Sequence, residues 1–370
     1  MERLRFLDSA RAIAVLYVIF FHTIFITPIE YPRFVHSFAQ SGGSGVILFF
    51  IVSGFSLCLT APRHQSSALP GASYAIARIF RIVPLYYFML VLTIWRDAMF
   101  RDRTYVTEKI LAAVFFTFNL NPAFSKGIVW ASWTLGVEVI FYAVFPLFYR
   151  YFNDIYKLMS GVIAFTFLTY VANLYYIPTL DESLRTSYSY MMMPRNFAIF
   201  LIGMTTFHAY RWLDQTIIEN RKSIGIFVLT LGCASMWVLI MSFRYTWGKV
   251  MFVDFGILQA MAYSIIVLGI ALYPWRFLVN AVTNFYSKVC YSAYLWHPFI
   301  IWAMKPFYIY VYSFSLPVVI KLLVSFAVTL GVVSAVSQVS FDYIERPGQR
   351  LGKKLLARLE KKSLTKTAQH

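Results

Sequence analysis

The chain has 370 residues and a mass of 42.9 kDa, a length that in a water-soluble protein makes two or three domains. Its composition excludes that: 59% hydrophobic residues, 13% charged residues and a mean hydropathy of +0.64 leave too little polar surface to cover a globule. The 33 Lys and Arg against 16 Asp and Glu give a formal net charge of +17, but no basic, aromatic-interleaved soluble module accompanies it, so the charge argues for membrane topology and against a nucleic-acid partner.

The apolar runs are continuous and about twenty residues long, which marks helical spans; a barrel would show segments of about ten residues alternating in polarity. In chain order, the first run extends from Phe6 to Ile26. Arg11 interrupts it and no small-x-small cleavage pattern follows, so it reads as a first span and not as a removable leader. Arg11 and His22 lie eleven residues apart, which puts both on one helix face with an offset of about 16 Å along the axis. Snorkelling of Arg11 and an interfacial His22 bonded to a carbonyl are the bland alternatives, and neither accounts for the shared face.

The second run, 45–60, carries Ser53-Gly54, small residues that serve either helix packing or a polar site. Arg78 and Arg81 enter the third run, 80–95, just before Pro84, Tyr86 and Tyr87. An i,i+3 pair of guanidinium forks suits a phosphate, and it also suits ordinary cytoplasmic flanking. The run 110–121 is short and closed by Asn119, Asn121 and Pro122, so it is expected to be re-entrant or superficial. Run 128–149 holds Glu138 about mid-span, either an ion-pair partner or a chemical group.

Runs 157–177, 197–210, 224–243 and 251–273 follow. In 289–308, Tyr294 and His297 precede Pro298, whose missing N–H frees a carbonyl that His297 can satisfy. The last run, 316–340, leads to a basic tail from Arg346 onward that reads as an amphipathic helix on an anionic leaflet. Placing both termini in the cytoplasm puts most of the Lys and Arg residues on that side, provided 110–121 does not cross.

The expected fold is therefore an all-α polytopic membrane protein of about ten transmembrane helices around a central polar pore. Residues 1–345 form the integral domain and 346–370 a basic cytoplasmic tail. Cys58, Cys233 and Cys290 lie in or beside apolar runs without metal-ligand spacing, so neither a metal nor a disulfide framework is expected. His36, His64, His208 and His370 have no companions, and neither Asp254-Phe255-Gly256 nor the Gly42–Gly45 segment makes a phosphate loop. A basic entrance, a histidine farther along the same face and a buried glutamate suit two function classes. One is a membrane enzyme using a phosphorylated donor; the other is a transporter coupling protons through His22 and Glu138.

The motifs resemble the membrane acyltransferases of the acyltransferase-3 type. Leu7-Asp8-Ser-Ala-Arg11 followed by His22 is similar to the family opening, and Phe49-Phe50-Ile-Val-Ser53-Gly54-Phe55 to its second-span motif. Arg78 and Arg81 with Pro84-Leu-Tyr-Tyr, Trp133-Thr-Leu-Gly-Val-Glu138 with Phe141-Tyr142, Tyr291-Ser-Ala-Tyr294-Leu-Trp-His297, and Tyr343-Ile-Glu345-Arg346-Pro347 follow in the family's order. Ala10 and Ala12 replace the usual Leu and Gly, Thr134 replaces Ser, and Val139 stands where a second acid often lies.

The resemblance implies an O-acyltransferase, most simply an O-acetyltransferase, of the bacterial inner membrane. Its donor would be acetyl-CoA, with phosphates at Arg78, Arg81 and Arg11 and the thioester near His22. His22 would be the general base on a hydroxyl of a surface polysaccharide or lipid-linked sugar, either directly or through an acyl-histidine. Glu138 would orient His22 or a polar helix neighbour, and Ser53, Tyr294 and His297 would line the pore or hold substrate. No fused extracytoplasmic domain is present in this sequence, so any second catalytic unit is expected as a separate protein.

Overall fold

The structure, a computed structural model, describes residues 4–25, 31–217, 219–242 and 254–367. Arg3, Ile26, residue 243, residues 251–253 and His370, on which parts of the expected spans and tail fall, lie outside the described residues. Among the described residues every regular element is helical. The α-helices are α1 (Arg5–Ile24), α2 (Arg33–Gln40), α3 (Gly45–Gln65), α4 (Pro70–Arg101), α5 (Thr107–Val114), α6 (Trp133–Tyr151), α7 (Ile155–Val171) and α8 (Glu182–Met191). They continue as α9 (Met193–Thr216), α10 (Arg221–Ser242), α11 (Phe255–Leu272), α12 (Ala281–Ala303), α13 (Lys305–Ser313), α14 (Val318–Ser340) and α15 (Arg346–Thr367).

Seven helical stretches among the described residues are long and apolar enough to cross a membrane: Arg5–Ile24, Arg33–Gln65, Pro70–Arg101, Ile155–Thr179, Arg221–Met241, Phe255–Leu272 and Val318–Thr365. Three further long helices, α6, α9 and α12, carry polar side chains inward: Glu138, half-buried in a chamber wall; Arg195 and Asn196; Ser287, Ser292 and His297. The seven fall on seven of the ten expected runs, and α6, α9 and α12 lie along the other three without being long and apolar enough by the same measure. The segment 110–121 is α5 followed by a short 3-10 turn, Phe118–Leu120. Eight helical residues rise about 12 Å, well short of a hydrocarbon core of about 30 Å.

Several boundaries differ from expectation, each for a local reason. Helix α4 starts at Pro70, a residue favoured in a first turn, so Arg78 and Arg81 sit inside a 32-residue helix and not at its start. Helix α6 starts at Trp133 because Ala131 adopts φ 64°, a left-handed turn that the apolar letters of 128–132 do not betray. Glu138 is consequently in the second turn of α6 and not mid-span. Asn280 and Thr283 form a capping box that starts α12 well before residue 289, which moves His297 into its C-terminal half.

Helix α1 runs through the middle, packed on α12, α3 and α11, and α3 crosses α9. That crossing is close because Gly54 faces the Phe200 carbonyl while Gly203 faces the Ile51 backbone, leaving no room for a Cβ on either side. At the C-terminus, the expected boundary at 345/346 falls inside one helical run. A π-turn, Phe341–Glu345, joins α14 to α15, and Glu345 is buried and accepts a hydrogen bond from Ser292. Helix α15 then runs antiparallel to α4, with Gly348 on Pro84, Gly352 on Phe80, and Ser67 donating to Glu360.

Candidate active site

Helices α1, α3, α4, α6 and α12 enclose a small chamber of about 60 Å³ that is lined by Arg11, Ser53, Arg81, Glu138, Tyr142, Cys290, Tyr291 and Tyr294. Glu138 and Arg11 are each bonded to neighbouring side chains. One carboxylate oxygen of Glu138 accepts from Ser53 Oγ at 2.9 Å and also from the Tyr142 hydroxyl, one helical turn on. Arg11 donates to Ser56 Oγ at 2.7 Å and to Asp8 Oδ1 at 3.4 Å, and Asp8 also accepts from Ser287 Oγ at 2.7 Å. Arg81 lies within electrostatic reach of Glu138 and Glu345. Positive and negative charge are thus held in rough balance away from water, the condition under which buried ions are tolerated.

Arg78 lies outside the chamber lining. Its guanidinium donates to Thr60 Oγ1 at 3.1 Å and rests 5.2 Å from the Tyr142 ring centre and 5.7 Å from that of Tyr74. Nε of Arg78 is buried without a hydrogen-bond partner among the described residues. The expected arginine pair is therefore divided: Arg81 points into the chamber, and Arg78 is clasped between two tyrosines beside it.

On the far side of Tyr294 and Val46, which line both spaces, opens a wider cavity of about 880 Å³. His22, Trp130, Tyr190, Arg195, Asp254 and Gln259 are among its lining residues. Tyr294 is fixed in this wall, donating to the Ala131 carbonyl at 3.1 Å and accepting from Thr134 Oγ1 at 3.0 Å. The left-handed turn at Ala131 is what presents that carbonyl.

His22 does not meet Glu138. Its ring partner is His297, fully buried on α12, with His297 Nε2 at 3.2 Å from His22 Nδ1. Of the two roles open to Glu138, orienting His22 or bonding a polar helix neighbour, the geometry gives the second, toward Ser53 and Tyr142. Carbonyl oxygens only accept, and this fixes the proton positions of the histidine pair. His297 Nδ1 is 3.2 Å from the Ala293 carbonyl and so carries the hydrogen, leaving its Nε2 as an acceptor. His22 Nδ1, 3.0 Å from the Val18 carbonyl and facing that acceptor, carries the hydrogen too. Nε2 of His22 is left with its lone pair, a base in a side chain that lines the wide cavity.

The structure thus brings Arg11, Ser53, Arg81, Glu138 and Tyr294 to one chamber and places His22 and His297 just beyond Tyr294. Tyr142, which the sequence shows only as part of a motif, has a place in the site, and its i,i+4 spacing from Glu138 puts both on one face. The sequence reading missed the Arg195–Asp254 pair, 2.9 Å apart, for which a charged residue next to Pro194 at the head of an apolar helix is the available signal. No group of three or more His, Cys, Asp or Glu side chains that could hold a metal ion occurs among the described residues.

Residues 4–337 match a protein family described as an acyltransferase domain. The chain is 24% identical to the peptidoglycan O-acetyltransferase OatA of Listeria monocytogenes over 94% of its own length and 56% of that protein's. It is 22% identical to the O-acetyltransferase OatA of Staphylococcus aureus, over 96% and 59% of the two chains. A shorter stretch, 28% of this chain and 33% of the relative, is 31% identical to the exopolysaccharide production protein ExoZ of Rhizobium meliloti. The chain thus spans less than two thirds of the length of these relatives. No solved structure gives a significant match.

Proposed function

We propose that this chain, which belongs to the acyltransferase family that its residues 4–337 match, is a membrane O-acyltransferase of the bacterial inner membrane. It moves an acyl group, in the simplest case acetyl, from cytoplasmic acyl-CoA to a hydroxyl of a polysaccharide or lipid-linked sugar. The observation that carries this reading is the histidine pair. His297 fixes His22 in the tautomer that leaves Nε2 free, and it does so beside a chamber lined by Arg11 and Arg81.

The chemistry follows from that placement. The acceptor hydroxyl lies in the wide cavity and the donor thioester reaches the Tyr294 wall from the chamber side. The hydroxyl oxygen attacks the thioester carbonyl carbon while its proton passes to His22 Nε2. The new C–O bond forms, the C–S bond breaks, and the departing thiolate takes the proton back from Nε2 and leaves as CoA thiol. The transient imidazolium is steadied through Nδ1–H by the acceptor Nε2 of His297 and by the Val18 carbonyl. The thioester and the hydroxyl approach from opposite sides of the Tyr294 wall, so that wall opens for them to meet. Arg11 and Arg81 supply the positive charge that draws the anionic donor in, and Arg78, one turn before Arg81 on α4, extends it toward the surface.

The test is acetyl-CoA turnover by the protein in lipid nanodiscs with an envelope glycan extract, followed as free thiol. The wild type releases thiol and His22→Ala does not, while both bind donor; Arg81→Ala loses donor binding. Glycan movement across the membrane without thiol release would instead establish a transporter.

A further inference from the structure

The cavity on the His22 side contains a recognition surface that the reaction as derived does not use. Trp130 is 48% exposed although it lines a concave space, and its ring stands edge-on to His22, with centres 6.4 Å apart and planes at 85°. The exposed indole presents a flat apolar face to that cavity. Across the same cavity sits an ion pair that is more than a strut. Arg195, 4% exposed, donates Nε to Asp254 Oδ1 at 2.9 Å and rests 4.4 Å over the Tyr190 ring centre. Asp254 Oδ1 also takes the Gly256 N–H at 2.7 Å, which caps α11. Both bonds fall on that one oxygen, so Oδ2 keeps its lone pairs on a side chain that lines the cavity and is 24% exposed.

A flat apolar platform, a fixed carboxylate acceptor held by a guanidinium, and a base beside them form a set that matches one ligand class. A pyranose has an apolar C–H face that stacks on an aromatic ring and a rim of hydroxyls that donate to carboxylates and accept from guanidinium. The cavity volume of about 880 Å³ is that of a small-molecule pocket, commonly about 300–1,000 Å³, and admits a short glycan segment.

We infer that Trp130 is the stacking platform of an acceptor-sugar subsite, with Asp254 and Arg195 reading ring hydroxyls so that one further hydroxyl is delivered to His22 Nε2. The inference rests on the acyltransferase reading for its purpose and on the cavity alone for its binding. Recognition of the C–H face and not of charge makes the subsite a neutral-pyranose site.

Saturation-transfer NMR on the protein in nanodiscs tests it with methyl glycosides of glucose, galactose and N-acetylglucosamine, and with methyl glucuronide as the charged comparison. At least one neutral glycoside should receive saturation on the C–H protons of one ring face. Trp130→Ala should lower its affinity about tenfold, the worth of one aromatic stacking contact, while Trp130→Phe retains it. No saturation of any neutral glycoside, or none lost in Trp130→Ala, overturns the inference. Lys126 is a cation in the lining of the same cavity, and binding of the glucuronide alone, lost in Lys126→Ala and kept in Trp130→Ala, overturns the inference in favour of charge recognition. Glycoside binding that depends on Trp130 in a protein releasing no thiol from acetyl-CoA would leave the subsite standing and remove the acyltransfer reading, so the two failures are distinguishable.

Discussion

The chamber around Glu138 and the cavity around His22 share Tyr294 and Val46 as a wall, yet they are built on opposite plans. The chamber measures about 60 Å³, and its carboxylate and Arg11 are tied to neighbours on α1, α3 and α6. The cavity measures about 880 Å³, and of the two nitrogens of its histidine one is bound on both sides while the other is free. In the first region charge is neutralised by charge and the helices are held; in the second a single lone pair is kept available. Under the proposed reaction the base is the nitrogen left without a partner, while the bonded groups of the chamber tie α1, α3 and α6 together.

That contrast can be broken from either side. The largest effect is expected for His22→Ala, which should lower turnover about 10²–10⁴-fold with donor binding unchanged, as for the loss of a general base. Stopped-flow thiol release with parallel calorimetry separates the two. Glu138→Ala acts on the other region. It leaves Arg81 facing one carboxylate fewer and should cost about 3–5 kcal/mol, seen as a lower melting temperature in detergent. Little loss of stability there would show that the chamber is not the structural half of the pair.

His297→Gln is the intermediate case. It disturbs the Nδ1–H acceptor that serves the imidazolium, a hydrogen bond to a charged group worth about 1.5–3 kcal/mol, and should slow turnover about 10- to 100-fold at unchanged donor affinity. The smallest effect is expected outside both regions, at the end of α4. There Tyr105 donates to Asp97, which also pairs with Arg96. Burial first, and then Asp97, push the Tyr105 hydroxyl from its ordinary 10.0 up to about 12. The folded state holds this proton more tightly, so the contribution is whole below pH 10 and is lost as pH rises to about 12. Tyr105→Phe should cost about 1 kcal/mol at pH 8 and remove that part of the alkaline limb of the melting profile.

The sequence carries the helices and one half of the site. Continuous apolar runs mark where helices lie because hydrocarbon admits no unsatisfied backbone, and the eleven-residue step from Arg11 to His22 puts both on one face by helix geometry alone. The ends of helices are less legible. Ile128-Val-Trp-Ala131 reads as membrane-spanning, yet the left-handed Ala131 makes it a turn, and the position of Glu138 shifts accordingly. Contacts between distant elements are not legible from one chain. His22 and His297 are 275 positions apart, Arg195 and Asp254 are 59, and no local periodicity connects either pair. Tyr142 is the exception: it stands one turn from Glu138 and was within reach of the helical repeat.

The Tyr294 wall has an electrical consequence. In the proposed orientation the chamber faces the cytoplasm and the cavity the other compartment, so a continuous polar path between them would short-circuit the membrane. Each elementary charge that slips through dissipates about 2.3 kcal/mol per 100 mV of potential. With its hydroxyl held by Ala131 and Thr134 and its ring against His297, Tyr294 would in that orientation be the insulator between the base on one side of its phenol ring and the charged chamber on the other.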